Sequence, residues 1–142
     1  MPESNAWLLT FNNKDSVAIG EKELLHIITE PELHYVPKAK KYCQNIISWQ
    51  DQILPVTNIN GYVNNSEAKL SNIIGIVAYR PTDTDEIKYS AIDLTGIPKK
   101  ITVNDEQACQ ITDEIKQWKP YSVACFNYND KATPIINLSA FF

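Results

Sequence analysis

YCQNIISWQDQILPVTNI, Tyr42 to Ile59, decides how the rest of the chain is read. Two apolar runs, Ile46-Ile47 and Ile53-Leu54-Pro55-Val56, flank the polar tip SWQDQ with its single Trp49. Short β-branched runs broken by a polar tip predict a hairpin whose strands bury one or both faces. Pro55 cannot donate to a ladder, so its strand is expected at a sheet edge, or Pro55 at a margin or bulge. Upstream, Pro37 in Val36-Pro37-Lys38 stands where a short helical turn begins without needing its N–H.

Outward from this segment, the chain alternates apolar runs with turn chemistry. Trp7 to Phe11 is a strand closed by Asn12-Asn13-Lys14-Asp15, and Val17-Ala18-Ile19 returns as its hairpin partner. EKELLHIIT, Glu21 to Thr29, carries Leu24, Leu25, Ile27 and Ile28, which periodicity alone does not divide between helix and strand. Beyond the central hairpin, Gly61 to Ser71 is polar and reads as an exposed loop between two halves of one domain, 1–142, meeting near 61–72. Ile73 to Tyr79 is a buried strand by its apolar continuity, Pro81 to Glu86 turns it, and Ile87 to Leu94 returns. Ile101 to Val103 is a further short strand. Asn104 can cap a helix, Gln107 stands three residues on, and Ala108, Ile111, Ile115 and Trp118 recur at helical spacing, so a helix is predicted over Asn104–Trp118. Tyr121 to Tyr128, a turn at Asp130-Lys131 and Thr133 to Leu138 form a closing hairpin.

The ordered series around the opening segment resembles the signature of the CheW family, the coupling proteins of bacterial chemosensory arrays. There the segment reads vP, a short turn, then GvinlRGeiiPVidL. Val36-Pro37 match the vP, Ile46-Ile47 the vi, Ile53-Leu54-Pro55-Val56 the iiPV, and Asn58-Ile59 stand at the dL. The closing hairpin resembles the family's ending iLlDlekLL, with Pro134 to Phe142 in its place. The resemblance covers nearly the whole chain and is weakest from Pro98 to Pro120. It implies a mainly β fold of two interlocked small SH3-like barrels with one or two short helices, and for EKELLHIIT a helical turn running into a strand at Ile27-Ile28. It also implies a non-enzymatic adaptor joining a chemoreceptor's cytoplasmic tip to the regulatory domain of a CheA-type histidine kinase, in chemotaxis or in control of type IV pili.

From the resemblance, the partner-binding residues are Leu24, Leu25, His26, Ile28, Gln50 and Ile92, with Leu24 and Ile28 sharing one face of a helical turn. This chain departs from the pattern at the same places. Gln50 stands where the family has the tip arginine, Asp51 and Asn45 where it has glycines, and His26 where it has glutamate. Near Tyr89-Ser90 the glycine of a second motif is replaced. Arg80 is the only arginine, against twelve lysines. Gln50 cannot make the two-point contact of an arginine fork with a carboxylate, so binding is expected to rest on apolar side chains.

Composition narrows the alternatives. A chain of 142 residues with 44% apolar content suits one domain with a substantial core. The net charge of −4, with scattered lysines, gives no basic stripe for nucleic acid. No apolar run has the length of a membrane span and MPESNAW lacks a signal-peptide plan, so a cytoplasmic protein without membrane insertion is expected. Three cysteines, Cys43, Cys109 and Cys125, are widely spaced without a CxxC and read as reduced thiols. His26, His34 and Cys43 match no metal-ligand spacing, and phosphate-loop, GxSxG and HExxH motifs are missing, so neither catalytic residues nor a metal or other cofactor is expected. Asp93 is read as a strand-end turn partner. A β-barrel interaction module unrelated to chemosensing is the main alternative to the adaptor, and an enzyme comes third.

Overall fold

Period-two alternation in the first two strands sets up the core. The computed structural model describes residues 3–11, 15–38, 44–64, 73–80 and 86–142. In β1 (Glu3–Thr10) and the residue after it, Trp7, Leu9 and Phe11 point one way while Ala6 and Leu8 point the other; in β2 (Ser16–Gly20), Val17 and Ile19 oppose Ala18. The two strands pair antiparallel, Trp7 opposite Ile19, as the sequence predicts. Side chains alternate across a strand, so each strand feeds two apolar layers at once.

Nine further strands complete the set: β3 (Leu24–Thr29), β4 (His34–Tyr35), β5 (Asn45–Trp49), β6 (Gln52–Thr57), β7 (Ile73–Tyr79), β8 (Lys88–Asp93), β9 (Lys99–Asn104), β10 (Ser122–Tyr128) and β11 (Lys131–Ile136). They form a five-stranded sheet in the order β10-β11-β2-β1-β9 and a six-stranded sheet in the order β3-β7-β8-β6-β5-β4. The architecture is mainly β, one sheet curled into a half-barrel and the other open, with few short helices. The first sheet takes both ends of the chain, the second its middle. The junction expected near 61–72 falls mostly outside the described residues.

Three apolar layers result. Leu9, Phe11, Val17 and Ile19 of the first sheet meet Leu24, Val77, Ile92 and Leu94 between the sheets, with Trp118 and Leu138 closing the layer. On the far side of the second sheet lie Ile47, Leu54, Val56, Ile74, Ile76 and Ala91. Ala6, Ala18, Ile101 and Phe126 fill the far side of the first. Gly75 sits in the middle layer, where an added Cβ would stand 3.0 Å from Leu24 Cδ1 and 3.0 Å from Leu94 Cδ1.

The central hairpin forms as read, with Ile47 opposite Leu54 and Trp49 opposite Gln52. Gln50 and Asp51 make its two-residue tip at φ 46° and 62°, the left-handed conformation that suits a tight antiparallel turn. β6 is an interior strand, yet its parallel pairing with β8 begins only at Val56 opposite Ala91. Pro55 therefore stands at the margin of that ladder, where its missing N–H costs no bond to β8. The closing hairpin turns in the same way at Asn129 and Asp130, φ 51° and 63°, one residue earlier than the predicted Asp130-Lys131.

Two expectations are corrected. Ile59–Asn64 is an α-helix (α1), not loop, with Asn58 Oδ1 accepting from Gly61 N at 2.8 Å and Ile59 fully buried; residues 65–72 lie outside the described set. The helix predicted over Asn104–Trp118 is not continuous. Its capping box is present, with Asn104 Oδ1 accepting from Glu106 N and Gln107 Oε1 from Asn104 N, but it closes only a 3-10 turn, Asp105–Gln107. Ala108 then pairs with Phe126 of β10, and Cys109 N donates to Cys125 O at 3.0 Å. That extended pairing cannot coexist with helical backbone. A second 3-10 segment, Asp113–Tyr121, is interrupted at Ile115 and brings Trp118 into the core, stacked on Phe11 with its Nε1 donating to Asp15 Oδ2 at 2.9 Å.

Candidate interaction surface

β3 determines which expected partner residues are reachable. Its pairing with β7 shifts register between Leu24 and His26, where a bulge inserts Leu25. A bulge spends one residue without a partner and reverses the inward–outward parity of the residues beyond it. Leu24, before it, faces the layer between the sheets, and so does Ile27 three residues on. Ile28 packs instead on the far layer. The helical turn implied by the resemblance is thus a strand, and Leu24 and Ile28 point to opposite faces of the sheet rather than sharing one.

The six expected residues accordingly divide. Leu24 is 8% exposed and Ile92 0%; both are core side chains, out of a partner's reach in this fold. Ile28 is half-buried over the far layer. Leu25 (44% exposed), His26 and Gln50 converge with Trp49 and Tyr89 around a shallow recess of about 490 Å³. Trp49 and Tyr89 meet with ring centroids 5.5 Å apart, tilted by 54°, and both rest on the far layer. Ile53, two residues past the hairpin tip, is 72% exposed, but it stands opposite Ser48 and so faces away from the side that carries Trp49.

Sequence reading singled out Trp49 only as part of the tip and did not assign Tyr89 to the site. The signal was present for Trp49, which directly precedes the two-residue turn and so stands at the hairpin's end. Tyr89 had no such marker, because its place is set by pairing with Ala78 across β7–β8.

The recess is lined by a leucine, two aromatic rings, an imidazole and an amide, with no Asp, Glu, Lys or Arg among its lining residues. Such a surface can receive an apolar side chain from a partner and orient it with one or two hydrogen bonds. A larger groove of about 710 Å³ on the first sheet differs in being lined by the charged side chains Asp15, Asp113, Asp130 and Lys131 beside Leu8 and Tyr128. Among the described residues no group of three or more His, Cys, Asp or Glu side chains is placed to hold a metal ion. His26 and His34 lie on β3 and β4, at the two ends of the strand order, and Cys43 is outside the described residues. Among the described residues, too, no helix is long and apolar enough to cross a membrane.

No protein-family model matches the chain. No curated protein matches it either. Solved structures do: the crystal structure of the scaffolding protein TtCheW from Thermoanaerobacter tengcongensis superposes with a TM-score of 0.77 at 12% identity, covering 96% of this chain and 90% of that one. At that identity the likeness concerns the fold, and the fold is CheW-like.

Proposed function

We propose that this protein is a non-catalytic adaptor that couples a chemoreceptor's cytoplasmic tip to the regulatory domain of a CheA-type histidine kinase, with control of type IV pili as the pathway that suits its altered tip. The observation that carries the reading is the uncharged aromatic recess of Leu25, His26, Trp49, Gln50 and Tyr89 at the hairpin tip, on a chain whose fold matches a scaffolding protein over nearly its full length. The two sheets and three layers correspond, in this reading, to two small barrels in one cooperative domain, 1–142, working in the cytoplasm.

The partner contacts are apolar. Leu25 supplies area, Trp49 and Tyr89 supply rigid rings, and Gln50 replaces the family's arginine with a neutral amide. Of the residues expected from the family pattern, Leu25, His26 and Gln50 remain contact residues, Ile28 supports them, and Leu24 and Ile92 hold the sheet that presents them. Leu24→Asp therefore cannot report on binding, because a carboxylate at that buried position unfolds the sheet.

The test is titration of purified Leu25→Asp, Ile53→Asp and Gln50→Arg proteins against a receptor-tip helical hairpin and the kinase regulatory domain. Both aspartate variants should keep the wild-type circular dichroism; Leu25→Asp should weaken binding at least about tenfold, as loss of an interfacial anchor does, while Ile53→Asp, on the opposite face of the hairpin, should bind like the wild type. Gln50→Arg should bind equally or better. A folded Leu25→Asp protein that binds both partners like the wild type would move the contact surface elsewhere.

A further inference from the structure

Cys109 and Cys125 are sixteen residues apart in sequence and 3.1 Å apart at their sulfurs, with both thiols free. The contact is built by the backbone. Ala108 pairs antiparallel with Phe126, and Cys109 N donates to Cys125 O at 3.0 Å, so the two cysteines lie side by side across adjacent extended segments. A disulfide needs a sulfur separation near 2.05 Å and Cβ atoms about 3.8 Å apart. Adjacent extended segments place Cβ atoms about 4.5–5.5 Å apart, so an approach of roughly 1 Å, within reach of side-chain rotation and small backbone adjustment, closes the bond.

We infer that Cys109 and Cys125 form a dithiol that a hydroperoxide converts into a reversible intrachain disulfide. The two thiols are unequal. Cys109 is half-buried and Cys125 buried. Burial first, and then the neighbouring Cys109, push the Cys125 thiol up to about 12. Cys109 is consequently the thiol that meets the oxidant. Its thiolate attacks one peroxide oxygen, the O–O bond breaks, and hydroxide leaves (an alcohol, for an organic hydroperoxide, once protonated); Cys109 is then a sulfenic acid. Cys125 attacks that sulfur, the S–O bond breaks, and the hydroxyl leaves as water with the Cys125 proton. One peroxide is reduced by two electrons and two thiols are oxidised by two. An external dithiol reverses the step by thiol–disulfide exchange. The bond would fasten the entry to the Asp113–Tyr121 segment onto β10, where one backbone bridge now holds it.

The experiment treats the reduced full-length chain with a small excess of hydrogen peroxide, alkylates remaining thiols and maps tryptic peptides without reduction. Trypsin separates the three cysteines, since Lys100, Lys116 and Lys131 are cleavage sites and Lys119 precedes Pro120. The expected product is 2 Da lighter, contains peptide 101–116 joined to 117–131, leaves Cys43 alkylated, and returns to three free thiols with dithiothreitol. It should also melt several degrees above the reduced protein, as closing a loop of this length in the unfolded chain implies. Cys109→Ser should remove the linked peptide and the 2 Da loss. Sulfinic acid at Cys109 with Cys125 still alkylated, a main product that joins Cys43, or a linked form that melts below the reduced protein would each overturn the proposal.

Discussion

The two apolar layers on either side of the six-stranded sheet are built by the same strands and end up differently. In β7, β8 and the residue after β8, Val77, Ile92 and Leu94 face the first sheet and are sealed, whereas Ile74, Ile76, Tyr89 and Ala91 face away from it. The middle layer has a second sheet opposite, plus Trp118 and Leu138. The far layer is flanked instead by the partly buried Ile28, Leu33, Trp49 and Tyr89, with Leu25 and His26 at the rim of the hairpin end. Alternation decides that both faces are apolar; only what lies opposite decides which face has a mouth. An apolar strand buried on both faces is thus compatible with a core and with a binding surface one residue apart.

Breaking the sealed layer should have the largest effect. Ile92→Asp puts a carboxylate at a position with 0% exposure, and burying an unpaired charge costs more than about 4 kcal/mol. The variant should give no cooperative urea transition and lose its strand circular dichroism. Leu25→Asp, at the rim of the open end, should shift the transition by less than about 1 kcal/mol. Comparable losses in the two variants would mean that the far layer is as closed as the middle one.

Gly75 sharpens the same contrast from inside. Its absent side chain makes room for Leu24 and Leu94, and overpacking a filled core costs about 1–3 kcal/mol. Gly75→Ala should therefore lower the urea midpoint, and should cost less in a Leu94→Ala background, where the crowding methyls are gone. An equal cost in both backgrounds would assign the effect to the backbone instead of the packing.

What could be read from sequence was what depends on neighbours along the chain. The hairpins Trp7–Ile19, Ile46–Val56 and Tyr121–Leu138 carry their turn residues between apolar runs, and all three form. The cap at Asn104 was legible for the same reason, yet the helix it announced was not formed, because Ala108 and Cys109 pair with Phe126 and Cys125 of β10, far along the chain. The bulge at Leu25 is set by register against β7, which no property of EKELLHIIT displays. It turned an expected helical face of Leu24 and Ile28 into one buried side chain, one half-buried side chain on the opposite face, and an exposed Leu25 between them. The Cys109–Cys125 contact has no motif at all; only the tertiary pairing brings the sulfurs together.

A smaller effect is expected where the chain passes from one sheet to the other. Glu23 Oε1 accepts from Gly20 N at 2.7 Å, and partial burial raises its carboxyl above the ordinary glutamate value despite that bond. The folded chain then holds this proton more tightly than the unfolded chain. Its contribution is fully present below the unfolded value near 4.5 and is lost as pH rises through the folded one. Glu23→Gln keeps the acceptor without the charge, so it should stabilise the protein at pH 7 and give no gain below about pH 4. Denaturation midpoints of both proteins from pH 3.5 to 8 check it; a gain that persists unchanged at pH 3.5 would trace to something other than the carboxylate's burial.

The smallest effect belongs to the tips that end the two hairpins. Gln50-Asp51 and Asn129-Asp130 all have positive φ, from 46° to 63°, and none is glycine. Asparagine and aspartate tolerate the left-handed region; glutamine, with no short polar group to bond locally, does so less well. The tip beside the recess is therefore the more strained of the two, at the position where the resembling family carries arginine followed by glycine. Asp51→Gly removes the Cβ clash at φ 62° but adds freedom to the unfolded chain, so a net gain of only a few tenths of a kcal/mol is expected. Asp130→Gly, at φ 63°, should give the same, because the strain relieved there is the same. Gln50→Asn should add a further gain that has no counterpart at position 129, already asparagine, and the double change Gln50→Asn/Asp51→Gly restores the pair that a two-residue hairpin turn favours most. Urea midpoints at constant m-value measure all four. If Gln50→Asn lowers the midpoint, Gln50 is held by a contact of its own at the recess rather than tolerated by the turn, and the tip would be shaped for that contact first and for stability second.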